Sequence, residues 1–146
     1  MVNIKIQKIK ESATMPHYAH QGDAGVDLYA AEEYDLEAGK RVLVSTGIKI
    51  AVPPGYEAQV RPKSGLALEH GISIVNTPGT IDSGYRGEIG IIVINLGNKG
   101  YKIEKGKKIA QMVFTKVEEA VFEEVSELDK TSRNEGGFGS TGLKKR

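Results

Sequence analysis

Val2, Ile4 and Ile6 alternate with Asn3, Lys5 and Gln7, so the chain opens on a period of two, the pattern of a half-buried β-strand. Further strand-like segments follow at 42–44, 48–52, 56–60 and 72–75, and then the longest apolar run, 89–94. Three more, at 101–103, 109–116 and 121–125, complete the series. Pro53-Pro54-Gly55, Ala38-Gly39, Leu96-Gly97-Asn98 and Glu104-Lys105-Gly106 punctuate them as turns. Helical periodicity is nearly absent. One short helix is expected from Ser64, where Leu66-Ala67-Leu68-Glu69 are good helix formers. Many short strands separated by Gly and Pro predict an all-β fold, a jelly-roll-like sandwich or barrel.

The pattern stops near residue 128. A chain of 146 residues fits one domain with one core, here expected over 1–128. From 129 to 146 the sequence is mostly Gly, Ser, Thr, Lys and Arg, and only Phe138 and Leu143 are apolar. Such a segment cannot offset its own ordering entropy and is expected to be a flexible C-terminal tail.

Charge narrows the choice of partners. Twenty Lys and Arg against nineteen Asp and Glu leave a formal net charge of +1, which gives no field to gather nucleic acid. Any polyanion must therefore be small and locally held. The absence of cysteine excludes disulfides and thiolate zinc sites. Charges recur through residues 1–10 with no unbroken apolar run, unlike a signal peptide or membrane anchor. A soluble, cytoplasmic protein without membrane or nucleic-acid partners is expected.

Several segments carry candidate chemistry, each beside a plainer reading. Arg61-Pro62-Lys63-Ser64-Gly65 ends a strand and opens the helix, where free N–H groups and cations suit a phosphate; an ordinary N-cap serine would look the same. Asp82 lies between Ile81 and Tyr85, where burial would raise its pKa or fix it as a general base; an Asx-turn is the alternative. Asp27 could serve a hydrated metal or merely a surface turn. Gln111 sits among Ile109, Met112 and Val113, as a site residue or as the outward residue of an alternating strand. His17 and His20, three apart, lack a third ligand, and His70 stands alone. In the tail, Gly136-Gly137-Phe138-Gly139-Ser140-Thr141-Gly142 could fold into an anion-binding nest beside Arg133, or simply fray.

Together these segments are specific. Residues 24–30, 61–67, 76–87, 106–111 and 133–142 resemble, in order and spacing, the five motifs of the trimeric deoxyuridine triphosphatase (dUTPase) family. The resemblance covers nearly the whole chain. It implies a jelly-roll-like homotrimer with sites between subunits, hydrolysing dUTP to dUMP and pyrophosphate with Mg²⁺. That activity limits dUTP and supplies dUMP for thymidylate synthesis. By the same resemblance Asp82 orients and deprotonates the water that attacks the α-phosphorus, and Gln111 helps place water or phosphate. Asn76, Thr80, Ile81 and Gly90 line the uracil slot, while Tyr85 packs on the deoxyribose and excludes a 2′-hydroxyl. Lys63, Ser64 and Gly65 hold phosphate oxygens. From the tail, Phe138 covers the uracil, and Arg133, Gly139, Ser140 and Thr141 grip the outer phosphates. Mg²⁺ is held by the triphosphate and waters, with Asp27 acting through water.

The chain departs from the family pattern in places. Lys63 stands where Arg is usual and loses the bidentate fork. Lys107-Lys108 replaces a commoner acidic-then-Arg pair, and Asn134 a commoner Gly. Two rivals are dCTP deaminase, which resembles this family, and a non-catalytic β-sandwich module. The deaminases place a catalytic Glu where this chain has Ile92, which cannot move protons. Joint retention of Asp82, Ser64, Gln111 and Arg133 speaks against the module.

Overall fold

A computed structural model describes residues 1–142. Leu143 and the three residues after it, the end of the expected tail, lie outside the described residues. Among the described residues eleven strands and one helix follow in order. They are β1 (Lys5–Lys8), β2 (Gly25–Tyr29), β3 (Tyr34–Leu36), β4 (Arg41–Ser45), β5 (Ile48–Ala51) and β6 (Tyr56–Arg61). After α1 (Ser64–His70) come β7 (Ile72–Ile74), β8 (Gly79–Ile81), β9 (Gly90–Asn95), β10 (Tyr101–Ile103) and β11 (Lys108–Lys116).

Two sheets form the body, in strand orders β2-β11-β6-β8 and β4-β9-β7, and every pairing is antiparallel. The strands alternate as half-buried strands must. In β6, Ala58 and Val60 point inward, and in β9 Ile91, Val93 and Asn95 do. The inward faces of the two sheets, including Leu28, Val60 and Met112 on one and Val44, Ile74 and Ile91 on the other, share one core. Asn95 is the one fully buried amide there; its Nδ2 donates to the carbonyls of Leu36 and Lys99, and its Oδ1 accepts from Gly97 N. The ribbons β1-β5 and β10-β3 are separate two-stranded sheets, and Leu36, Ile48, Ile50 and Ile103 from them join the same core.

The expected all-β class and its single helix are present. None of the described sheets closes on itself, so the architecture is a sandwich and not a barrel. The strand expected at 121–125 is absent: β11 is the last described strand, and Val121, Phe122 and Val125 are exposed. A short apolar segment becomes a strand only beside another strand, and the described residues offer this one no partner. Among the described residues no helix is long and apolar enough to cross a membrane.

Candidate active site

The strand end at Arg61 and the turn after β8 gather the residues singled out from the sequence, into two clusters. In the first, β8 and β9 frame a small cavity of about 130 Å³ lined by Val60, Ile74, Asn76, Thr80, Ile81, Tyr85 and residues 88–92. That volume is below the roughly 300–1,000 Å³ typical of pockets enclosing drug-sized ligands, so it suits one flat ring. Ile74, Ile81 and Ile91 supply apolar walls, while the backbone of β8 and the Asn76 amide supply polar edges. Gly90 opens β9 at the cavity, beneath Leu43. Ile92, the position that carries an acid in the deaminases, is part of this apolar lining.

Asp82 directly follows β8 and starts the turn that carries Tyr85. Its carbonyl accepts the Tyr85 N–H at 3.1 Å, which closes the turn. In the single chain Asp82 is exposed, not buried as its apolar neighbours suggested. Ile81 alone turns into the core, so the carboxylate after it faces out, as alternation along a strand requires.

The second cluster is charged. Asp27 lies in the middle of β2 and is 7 % exposed. One carboxylate oxygen accepts from Lys63 Nζ, the other from Lys108 Nζ at 2.7 Å. Burial alone would raise the Asp27 pKa, but the hydrogen bonds and charges of Lys108 and Lys63 together outweigh it and hold the carboxyl below its usual range. The bond to Asp27 raises Lys108 in turn. Gln111 in β11 stands between Asp27 on β2 and Arg61 on β6. Its Nε2 donates to the Pro62 carbonyl at 2.9 Å, and its Oε1 lies where a Cβ on Gly25 would be, only 2.5 Å away. A side chain at position 25 would displace the end of the Gln111 side chain from this place.

Ser64 and Gly65 form the exposed first turn of α1. Lys63 occupies the N-cap position and makes no side-chain cap bond, so the serine is not the cap that a plain reading expected. Lys108 was legible only as an unusual pair with Lys107. Its link to Asp27 depends on a bulge in β11, which pairs Lys108 with Tyr29 and Gln111 with Asp27.

The two clusters are well separated within one chain. Ile81 pairs with Ala58, while Gln111 pairs with Arg61 three residues further along β6. At about 3.3 Å per residue and 4.8 Å per strand spacing, their backbones lie roughly 14 Å apart. The tail forms turns in which Arg133 Nε donates to the Gly136 carbonyl at 2.8 Å, and Phe138 is fully exposed. No described tail residue lines the small cavity.

Magnesium finds no ready cage here. Among the described residues no three His, Asp or Glu side chains converge as a metal-binding group. Both oxygens of Asp27 are already bound by lysine.

A family profile described as dUTPase matches residues 11–142. The deoxyuridine 5′-triphosphate nucleotidohydrolase of Clostridium acetobutylicum is 57% identical over 145 residues, which cover 99% of this chain and 100% of that one. Its counterpart from Alkaliphilus metalliredigens is 56% identical over 144 residues, again 99% and 100% of the two chains. Among solved structures, the Staphylococcus bacteriophage 80alpha dUTPase with dUpNHpp superposes with a TM-score of 0.90 at 27% identity, covering 97% and 99% of the two chains. A variant of the phage phi11 dUTPase from S. aureus, described as coordinating a structural Mg(II) ion, matches with a TM-score of 0.80 at 25% identity over 86% and 97%.

Proposed function

This chain belongs to the dUTPase family and hydrolyses dUTP to dUMP and pyrophosphate; we propose that the small cavity holds the uracil and that the Asp82 turn carries the chemistry. The observation behind this reading is the cavity itself. It gathers Asn76, Thr80, Ile81, Tyr85 and Gly90 around a space for one ring. Uracil presents an N–H donor and carbonyl acceptors in its plane, which the backbone of β8 complements. Tyr85 at the mouth takes the sugar side, where a 2′-hydroxyl would collide with it.

Asp82 is the general base. It removes a proton from water as the oxygen attacks the α-phosphorus, and the bond from that phosphorus to the bridging oxygen breaks. Pyrophosphate leaves with the electron pair. The developing charge needs cations and N–H donors already in place. Lys63, the uncapped first turn at Ser64 and Gly65, and Gln111 form such a group on the other cluster. Arg133, Gly139, Ser140 and Thr141 of the tail add donors for the outer phosphates, with Phe138 over the base. The described tail, residues 129–142, acts as a closure on a domain ending at 128. Because the described residues do not fit a protein-held metal, Mg²⁺ is taken as part of the substrate, bound to the triphosphate. Asp27 would meet a water of that ion only once Lys63 leaves it.

A base and a phosphate cluster roughly 14 Å apart along one sheet do not converge on one phosphorus from one chain. Association of copies into a trimer brings the Asp82 turn of one to the Lys63–Gln111 cluster of another. The exposed apolar run at Val121, Phe122 and Val125 supports such association, since among the described residues nothing covers it. The direct test of the activity is product analysis with dUTP and dCTP. Pyrophosphate and dUMP from dUTP are expected. Ammonia from dCTP would indicate a deaminase, and no product from either would indicate a binding module.

A further inference from the structure

Tyr85 is nearly half exposed, at 46 %, so its ring is not packed into place by the core. What holds it is the turn on which it sits. Arg86 Nη1 donates to the carbonyls of Ser83 and Tyr85, both at 2.7 Å, and fixes the turn backbone. The Tyr85 hydroxyl donates to the Glu88 carbonyl at 3.0 Å, which folds the ring back along its own turn. Glu88 is fastened in its turn to the neighbouring sheet. Its Oε1 accepts from the Ser45 hydroxyl at the end of β4 and from Gly47 N at 2.8 Å. The acceptor that locates the ring is thus tied to the β4–β5 connection by a charge-assisted bond.

Gly87 supplies the space. A Cβ there would sit 2.9 Å from Tyr85 Cε2, and nearer still to Cζ and the hydroxyl oxygen. Carbon atoms in favourable contact are about 3.5–4.0 Å apart. With any side chain at 87 the ring would have to leave its present orientation. It would swing toward solvent, because its outer side is open.

We propose that Gly87 and Glu88 are positioning residues for sugar selection. Gly87 admits the folded-back ring, and Glu88 fixes the carbonyl that receives its hydroxyl. Between them they hold Tyr85 rigid enough to reject a 2′-hydroxyl. The proposal deepens the role given to Tyr85 above and rests on it. Rejection by collision works only when the colliding group cannot yield, since a ring free to rotate moves aside. Neither residue needs to touch the sugar.

The test is the ratio of kcat/KM for dUTP over UTP in Gly87→Ala, Glu88→Ala, Glu88→Gln, Tyr85→Phe and Tyr85→Ala. Gly87→Ala is expected to lower the ratio by at least about tenfold, the low end of what one steric contact discriminates, with an unchanged Tm because the ring and not the core gives way. Glu88→Ala moves the ratio in the same direction. Glu88→Gln restores it, since an amide oxygen accepts the same two bonds. Tyr85→Phe, which keeps the ring and loses only the tether, falls between native and Tyr85→Ala. Native ratios in both Gly87→Ala and Tyr85→Phe, with a relaxed ratio in Tyr85→Ala, would overturn the proposal while leaving Tyr85 its role. A native ratio in Tyr85→Ala removes that role and the proposal with it.

Discussion

Two variants, each defective alone, should repair one another when mixed. Take Asp82→Asn, which removes the proposed base, and Gln111→Ala, which disturbs the second cluster. Asp82→Asn is expected to lose about two or more orders of magnitude in turnover, the usual scale for a positioned proton-transfer group, and Gln111→Ala about two, the scale for one lost donor to developing charge. The roughly 14 Å between Ile81 and Gln111 is several times the reach of a hydrogen bond, so one chain does not bring both groups to one phosphorus. If each site takes its Asp82 turn from one subunit and its Lys63–Gln111 cluster from the next in a fixed cyclic order, every mixed trimer contains one intact site. Equal random mixing makes three-quarters of trimers mixed, so about a quarter of all sites should work. Against separate variants near about 1% of native turnover, that is a rise of roughly 25-fold. The assay is unfolding and refolding of the two together, one carrying a mass tag, with mixed trimers counted by native mass spectrometry and pyrophosphate release followed from dUTP. Mixed trimers with no gain in activity would place both groups on one chain and refute the shared site.

The remaining predictions concern the charged cluster and the tail. Asp27 is held below its unfolded pKa, so its stabilising contribution is fully present above the unfolded value near about 3.9 and is lost as pH falls through the folded one. Acid unfolding should therefore be flatter in Asp27→Asn; equal acid sensitivity in variant and native protein would show that the lysine pairing does not stabilise the fold. Hydrogen exchange over residues 133–142 should slow when a non-hydrolysable dUTP analogue binds, because turns now exposed would become covered; unchanged exchange would mean the tail does not close.

Strands with strong apolar alternation were plain in the sequence. The β9 and β11 segments could be read almost to their ends, because Ile91, Val93, Ile109 and Met112 must face a core whatever their partners. β8 could not, since Gly79-Thr80-Ile81 is three residues long and embedded among turn formers; its strand character comes from β6 beside it. The reverse held at 121–125, where apolar residues were present and a partner strand was not. Site residues divide in the same way. Asp82, Tyr85 and Gln111 were legible as chemistry in an unusual setting. Lys108 and Glu88 were not, because their contacts depend on register and on a turn folding back to β4. Neither is a local property of the chain.

The strand order of the larger sheet has a consequence for how the protein is made. β11 lies between β2 and β6, yet it is the last described strand along the chain. As the polypeptide is synthesised, β2 and β6 emerge long before the strand that joins them, and each waits with an edge unpaired. The pairing of β2 with β11 joins residues 79 to 88 positions apart, a slow, non-local closure. Until residue 116 has emerged, the nascent chain exposes open sheet edges, the kind of surface that chaperones shield. Destabilising substitutions in β11 should therefore lower soluble yield during expression more than their effect on the finished protein would suggest.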